Sequence, residues 1–134
     1  TPNLPEAEAL LKRTIDDRQA MAQAAEALLA FGMKAVLVKG GHLAASADDF
    51  LLMEGEAHWF ESERILSQHT HGTGCTLSSA LAANLANGLP MVQAVAAAKA
   101  YVSDGIRHGL AIGSGCGPTH HFYGLYKKAG LPYE

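Results

Sequence analysis

The chain has 134 residues, a net charge of −3 and 49% apolar residues, and this combination excludes several classes of protein. It is long enough to bury a real core as one domain over residues 1–134, yet it has no basic stripe for nucleic acid. No apolar run approaches the ~20 residues of a membrane span, no signal peptide opens the chain, and its 2 cysteines are too few for a disulfide framework, so free thiols in a reducing cytoplasm are expected.

Thr1 to Pro5 reads as a strand exit or turn punctuated by two prolines, and the opening without Met suggests processing or the second part of something larger. Glu6 to Lys12 suits a short helix. Asp16 and Asp17 open a longer one, because acids favour a helix N-terminus. Met21, Ala24, Ala25, Leu28 and Leu29 recur on one face of it, and Gly32 closes it. Ala35 to Val38 is a short apolar run with the look of a buried parallel strand. It ends in Lys39-Gly40-Gly41-His42, and ligands gather at the carboxyl ends of strands in α/β sheets. Lys39 is therefore placed to meet a phosphate, with Gly40 and Gly41 letting a nucleotide lie against the backbone. A solvated strand end with a glycine turn is the other reading.

Asp49 to Met53 and Ala57 to Glu61 form a hairpin around Glu54-Gly55-Glu56, and Arg64 to Leu66 makes one more short strand. The class is thus α/β, a mostly parallel sheet with a β-hairpin.

Thr70-His71-Gly72-Thr73-Gly74-Cys75-Thr76-Leu77-Ser78 comes next, running into a helix from Cys75 to about Asn87 that Gly88 and Pro90 stop. The first amides of a helix lack internal partners and carry partial positive charge. An ordinary surface helix fills that place with Asp or Glu; this one does not. Gly72, Thr73, Gly74 and Cys75 therefore read as an anion hole for a transferred phosphoryl group, against the plainer reading of a tight turn. No charged residue lies between Arg64 and Lys99, which points to a helix buried on most sides. A second helix runs from about Met91 to His108, Gly113 to Gly117 is loop, and Thr119 to Tyr126 is a last turn or docked tail. His69, His71 and Cys75 lack a fourth ligand at regular spacing, so packing outweighs zinc.

Thr1-Pro2-Asn3-Leu4-Pro5-Glu6-Ala7-Glu8, Val38-Lys39-Gly40-Gly41-His42, His71-Gly72-Thr73-Gly74-Cys75-Thr76-Leu77-Ser78 and Gly115-Cys116-Gly117-Pro118 occur in one order. Together they resemble the bifunctional hydroxymethylpyrimidine/phosphomethylpyrimidine kinases of thiamine biosynthesis, within the ribokinase-like group. The resemblance covers essentially the whole chain and about the C-terminal half of that enzyme. It implies a ribokinase-like three-layer αβα sandwich, of which this is the C-terminal portion. It also implies ATP and Mg²⁺ as cofactors, phosphorylation of hydroxymethylpyrimidine and then of its monophosphate, and a homodimer when full length. The family's N-terminal half supplies much of the pyrimidine pocket, so the isolated piece is expected to be inactive or feeble.

By the same resemblance Asn3 and Glu6 order Mg²⁺ and its water shell; read from the residues alone, Asn3 caps a helix and Glu6 sits in its first turn. Cys75 stands where most ribokinase relatives, pyridoxal kinases included, carry an Asp base. A thiol at a helix N-terminus can be drawn towards neutral pKa and take the substrate's proton, or it can simply contact the pyrimidine. The alternatives are a pyridoxal-type kinase, disfavoured by Cys75, and a catalytically silent nucleotide-binding fragment.

Overall fold

The computed structural model describes residues 1–41 and 47–132, so His42 of the glycine turn lies outside the described residues. The contacts divide the chain into two compact units, Thr1–Arg64 and Ile65–Glu134.

In the first unit, α1 (Leu4–Leu11) and α2 (Arg18–Leu29) precede β1 (Ala35–Lys39), β2 (Asp49–Met53) and β3 (Glu56–Phe60). α2 starts where the paired acids put it: the Asp17 side chain accepts from the Ala20 amide at 2.7 Å. Its apolar stripe of Met21, Ala24, Ala25 and Leu28 is buried, together with Leu4 and Ala7 of α1 and Val36, Val38 and Phe50 of the sheet. The hairpin forms at the expected strands, and Gly55 takes the φ of +80° that its turn requires. Arg18 lies 4.1 Å above the Trp59 ring and pairs with the Glu61 carboxylate at 3.2 Å, covering the sheet's outer end.

The expected mostly parallel sheet is corrected here. Its order is β1-β2-β3 and both pairings are antiparallel, with Lys39 opposite Asp49 and Ala35 opposite Met53. The helix-strand-glycine order of α2 and β1 reads as parallel grammar, but a parallel neighbour needs a crossover of a dozen or more residues. Residues 40–48 are too few for one, and β2 pairs antiparallel to β1. Among the described residues, parallel pairing occurs only as two bridges, Asn3 beside Lys39 and His71 beside Pro118. Arg64 to Leu66 forms no strand.

The second unit holds α3 (Thr73–Ala86), α4 (Met91–Arg107) and α5 (Tyr123–Ala129). Leu77 and Leu81 of α3 meet a buried row of Ala94, Val95, Ala98 and Val102 on α4. Alanines on both sides let the two helices approach closely. The expectation that uncharged α3 is buried on most sides does not hold within this unit, where only Leu77 and Leu81 are buried. Gly105 lets the tail pass over α4, and the His120 amide donates to its carbonyl at 2.8 Å. Tyr123 then stacks on His108 at 3.6 Å, which docks α5. No described helix is long and apolar enough to cross a membrane.

Candidate functional site

Two groups of the expected site residues come together in the first unit, at the carboxyl end of β1. The Lys39 amide donates to the Pro2 carbonyl at 2.9 Å, and Asn3 bridges Lys39 in parallel, so the start of α1 lies beside the Lys39–Gly41 turn. Asn3 and Glu6 form a reciprocal cap: the Glu6 amide donates to Asn3 Oδ1 and the Asn3 amide to Glu6 Oε2, each at 2.8 Å. The other Glu6 oxygen has no hydrogen-bond partner among the described residues, and the residue is exposed. That oxygen can receive a metal-bound water while the cap stays intact.

The two glycines of the turn differ. Gly40 is buried, its amide donates to Asp49 Oδ1 at 3.0 Å, and a Cβ there would fall on the Asp48 carbonyl oxygen. Its lack of a side chain serves the protein's own packing. Gly41 is exposed and a Cβ would meet nothing within 4 Å among the described residues, which leaves room for close approach of a ligand. Arg64 Nη2 donates to the Gly41 carbonyl at 2.8 Å. Asp49 and Arg64 were not singled out by sequence reasoning, because nothing in their local pattern announces contacts with a turn many residues away.

In the second unit, Gly72 is the N-cap of α3 at φ 81°, ψ 1°, and it has no side chain with which to cap. No acidic residue stands in the first turn. The Thr73 amide donates to the Thr70 carbonyl at 3.3 Å, a long bond, and the Thr73 hydroxyl takes the same carbonyl at 2.6 Å. The Gly74 and Cys75 amides have no acceptor among the described residues. Two backbone donors at the positive end of a helix thus stay unspent, the property that suits an anion. The Cys75 side chain is exposed beside them. From this loop a groove of about 700 Å³ runs between α3 and α4, lined among others by Gly72, Cys75, Ser79, Ala83, Tyr101 and His121. Within that lining the Tyr101 hydroxyl donates to the His121 carbonyl at 2.7 Å.

The loop is anchored from the glycine-rich tail. The His71 amide donates to the Gly117 carbonyl at 3.2 Å, and His69 packs so tightly on Gly109 and Gly117 that neither has room for a Cβ. His69 therefore has a packing job. Cys116 lies with its sulfur 3.5 Å from the Thr70 hydroxyl. That hydroxyl and then the Thr70 amide hold the Cys116 thiol below the usual cysteine range; burial opposes them, and the His71 amide adds the least. Cys116 is consequently expected to react with iodoacetamide at pH 7 faster than an unstructured cysteine peptide, as read by peptide mass spectrometry. Equal rates would contradict this contact.

The profile described as phosphomethylpyrimidine kinase matches residues 1–120. The chain belongs to that family. It is 47% identical over 125 residues to a hydroxymethylpyrimidine/phosphomethylpyrimidine kinase of Streptomyces coelicolor, covering 93% of this chain and 46% of the relative. To a thiamine biosynthesis bifunctional protein of Geobacter sulfurreducens it is 48% identical, over 90% of this chain and 25% of that one. The first of these relatives is thus about twice as long as the stretch it shares with this chain. Among solved structures, an ADP complex of Bacillus subtilis pyridoxal kinase superposes with TM-score 0.84 at 35% identity, covering 90% of this chain and 46% of that one. A phosphomethylpyrimidine kinase of Clostridium difficile gives 0.64 at 37% identity, covering 76% and 40%.

Proposed function

We propose that this chain is the phosphate-handling, C-terminal portion of a ribokinase-like αβα kinase, one domain over residues 1–134. In that reading the whole enzyme transfers a phosphoryl group from ATP to hydroxymethylpyrimidine and to its monophosphate, in the cytoplasm and as a homodimer. The observation that carries it is the pair of unspent amides at Gly74 and Cys75 behind a left-handed Gly72. Phosphoryl transfer needs positioning and charge stabilisation far more than covalent help, and such donors supply both. Gly72, Thr73, Gly74 and Cys75 then cradle the moving group, with Thr73 contributing least because its amide already has a partner. Cys75 faces the acceptor, as base or as contact. Lys39 and Gly41 border the ATP phosphates, while Gly40 supports them from beneath.

Mg²⁺, when bound, would supply positive charge that offsets the charge developing on the phosphates. Asn3 and Glu6 fit it through water, since Glu6 keeps one oxygen outside its cap. A pyridoxal-type kinase is the second reading, favoured by the 0.84 superposition on pyridoxal kinase. Higher identity to the pyrimidine kinases and Cys75 in place of Asp support the first.

The test supplies this polypeptide with Mg-ATP and either hydroxymethylpyrimidine or pyridoxal, following ATP binding by calorimetry and product by chromatography. ATP binding with weak or absent turnover is expected, because the shared stretch is about half of the relatives. Pyridoxal phosphorylated in preference to the pyrimidine would favour the second reading. No binding of ATP at all would contradict both.

A further inference from the structure

Asp49 is a buried acid, 7% exposed, at the first position of β2, and no step of the proposed chemistry uses it. Burying a carboxylate is costly unless it is well bonded, so its presence asks for a purpose. Its Oδ1 accepts the Gly40 amide at 3.0 Å, a buried bond between residues nine apart in sequence. In the sheet Asp49 lies directly opposite Lys39, so the two side chains leave the same face. Its neighbour Asp48 presses its carbonyl against the Cα of Gly40 and uses its own side chain elsewhere, accepting from the Ser62 amide at 3.0 Å. The start of β2 therefore grips Gly40 by two adjacent residues, one through a carboxylate and one through a carbonyl.

We infer that Asp49 is a positioning residue for the nucleotide turn: its carboxylate fixes the Gly40 amide and so sets the direction in which Lys39 and Gly41 face a phosphate chain. This rests on the reading of Lys39–Gly41 as the edge of the nucleotide site. With the Gly40 amide taken by Asp49 and the Gly41 carbonyl by Arg64, the ligand is left the Gly41 amide and the Lys39 side chain. The turn is thereby fixed before the ligand arrives, which lowers the ordering cost of binding. A carboxylate kept only to finish the strand would influence stability alone.

Asp49→Ala removes the acceptor, whereas Asp49→Asn keeps an oxygen in the same place. The full chain and both variants are titrated with ADP by calorimetry, and exchange of the Gly40 amide is followed by NMR without nucleotide. Asp49→Ala is expected to bind ADP about tenfold more weakly and to exchange Gly40 much faster, and Asp49→Asn to stay within about twofold of wild type in both. Should Asp49→Ala fail to fold, Asp49→Asn with wild-type affinity and a protected Gly40 amide supports the inference, and loss of either overturns it. Unchanged affinity in a folded Asp49→Ala, or a Gly40 amide still protected there, also overturns it. A wild-type chain that ignores ADP sinks the nucleotide reading instead, and Gly40 exchange then decides the role of Asp49 alone.

Discussion

Gly40→Ala is expected to lower the melting temperature by about 10 °C, while Gly41→Ala leaves it almost unchanged. The new methyl group at position 40 falls on the Asp48 carbonyl oxygen, a backbone atom that cannot swing aside. Either the turn or the start of β2 must move, and the Gly40–Asp49 bond of 3.0 Å goes with it. Overpacking of that kind costs about 3 kcal/mol, which in a domain of this size is about 10 °C. Among the described residues nothing lies within 4 Å of a Cβ at position 41, so its substitution should stay within about 0.5 kcal/mol. Differential scanning calorimetry checks both. If a nucleotide approaches Gly41 closely, Gly41→Ala weakens ADP binding in a chain as stable as wild type. Equal melting temperatures for the two variants would contradict the packing described around Gly40.

Cys75→Glu is expected to move stability and anion binding in opposite directions. A carboxylate in the first turn of α3 complements the helix dipole, and no acid occupies that turn now. The helix should gain about 0.3–1 kcal/mol. The same charge stands in front of the Gly74 and Cys75 amides. Two like charges ~4 Å apart repel by about 4 kcal/mol near a protein surface, enough to weaken phosphate or ADP binding by about a hundredfold or more. Cys75→Ala keeps both amides and should bind anions as wild type does, whatever it does to proton transfer. Were Gly72 to Cys75 only a tight turn, Cys75→Glu would stabilise the chain and leave anion binding untouched.

How much of this was legible before the fold is clearest at individual residues. α2 was readable because Met21, Ala24, Ala25 and Leu28 repeat at one helical face and Asp17 announces its cap. β2 was readable because four apolar positions, Phe50 to Met53, stand between an acid and a glycine turn. The direction of β2 against β1 was not, because local pattern is the same for parallel and antiparallel neighbours; only the shortness of residues 40–48 decides it. The uncapped, uncharged start of α3 was legible, since glycine at the N-cap and the lack of an acid in the first turn are sequence facts. Which of its amides stay unspent was not, because that depends on where the Thr70 carbonyl points. Asn3 and Glu6 show the converse. Their spacing suits both a cap and a metal role, and the structure realises the cap while leaving one Glu6 oxygen over. Contacts such as Asp49 to Gly40 and Cys116 to Thr70 join residues that no short window contains.

Backbone NMR of the ¹⁵N-labelled chain during titration with inorganic phosphate and then ADP tests directly whether the start of α3 receives a phosphate. The Gly74 and Cys75 resonances should shift most, with Thr73 moving less because its proton is shared with Thr70. If both ligands bind and those two signals stay still while others move, the helix start is not where phosphate sits.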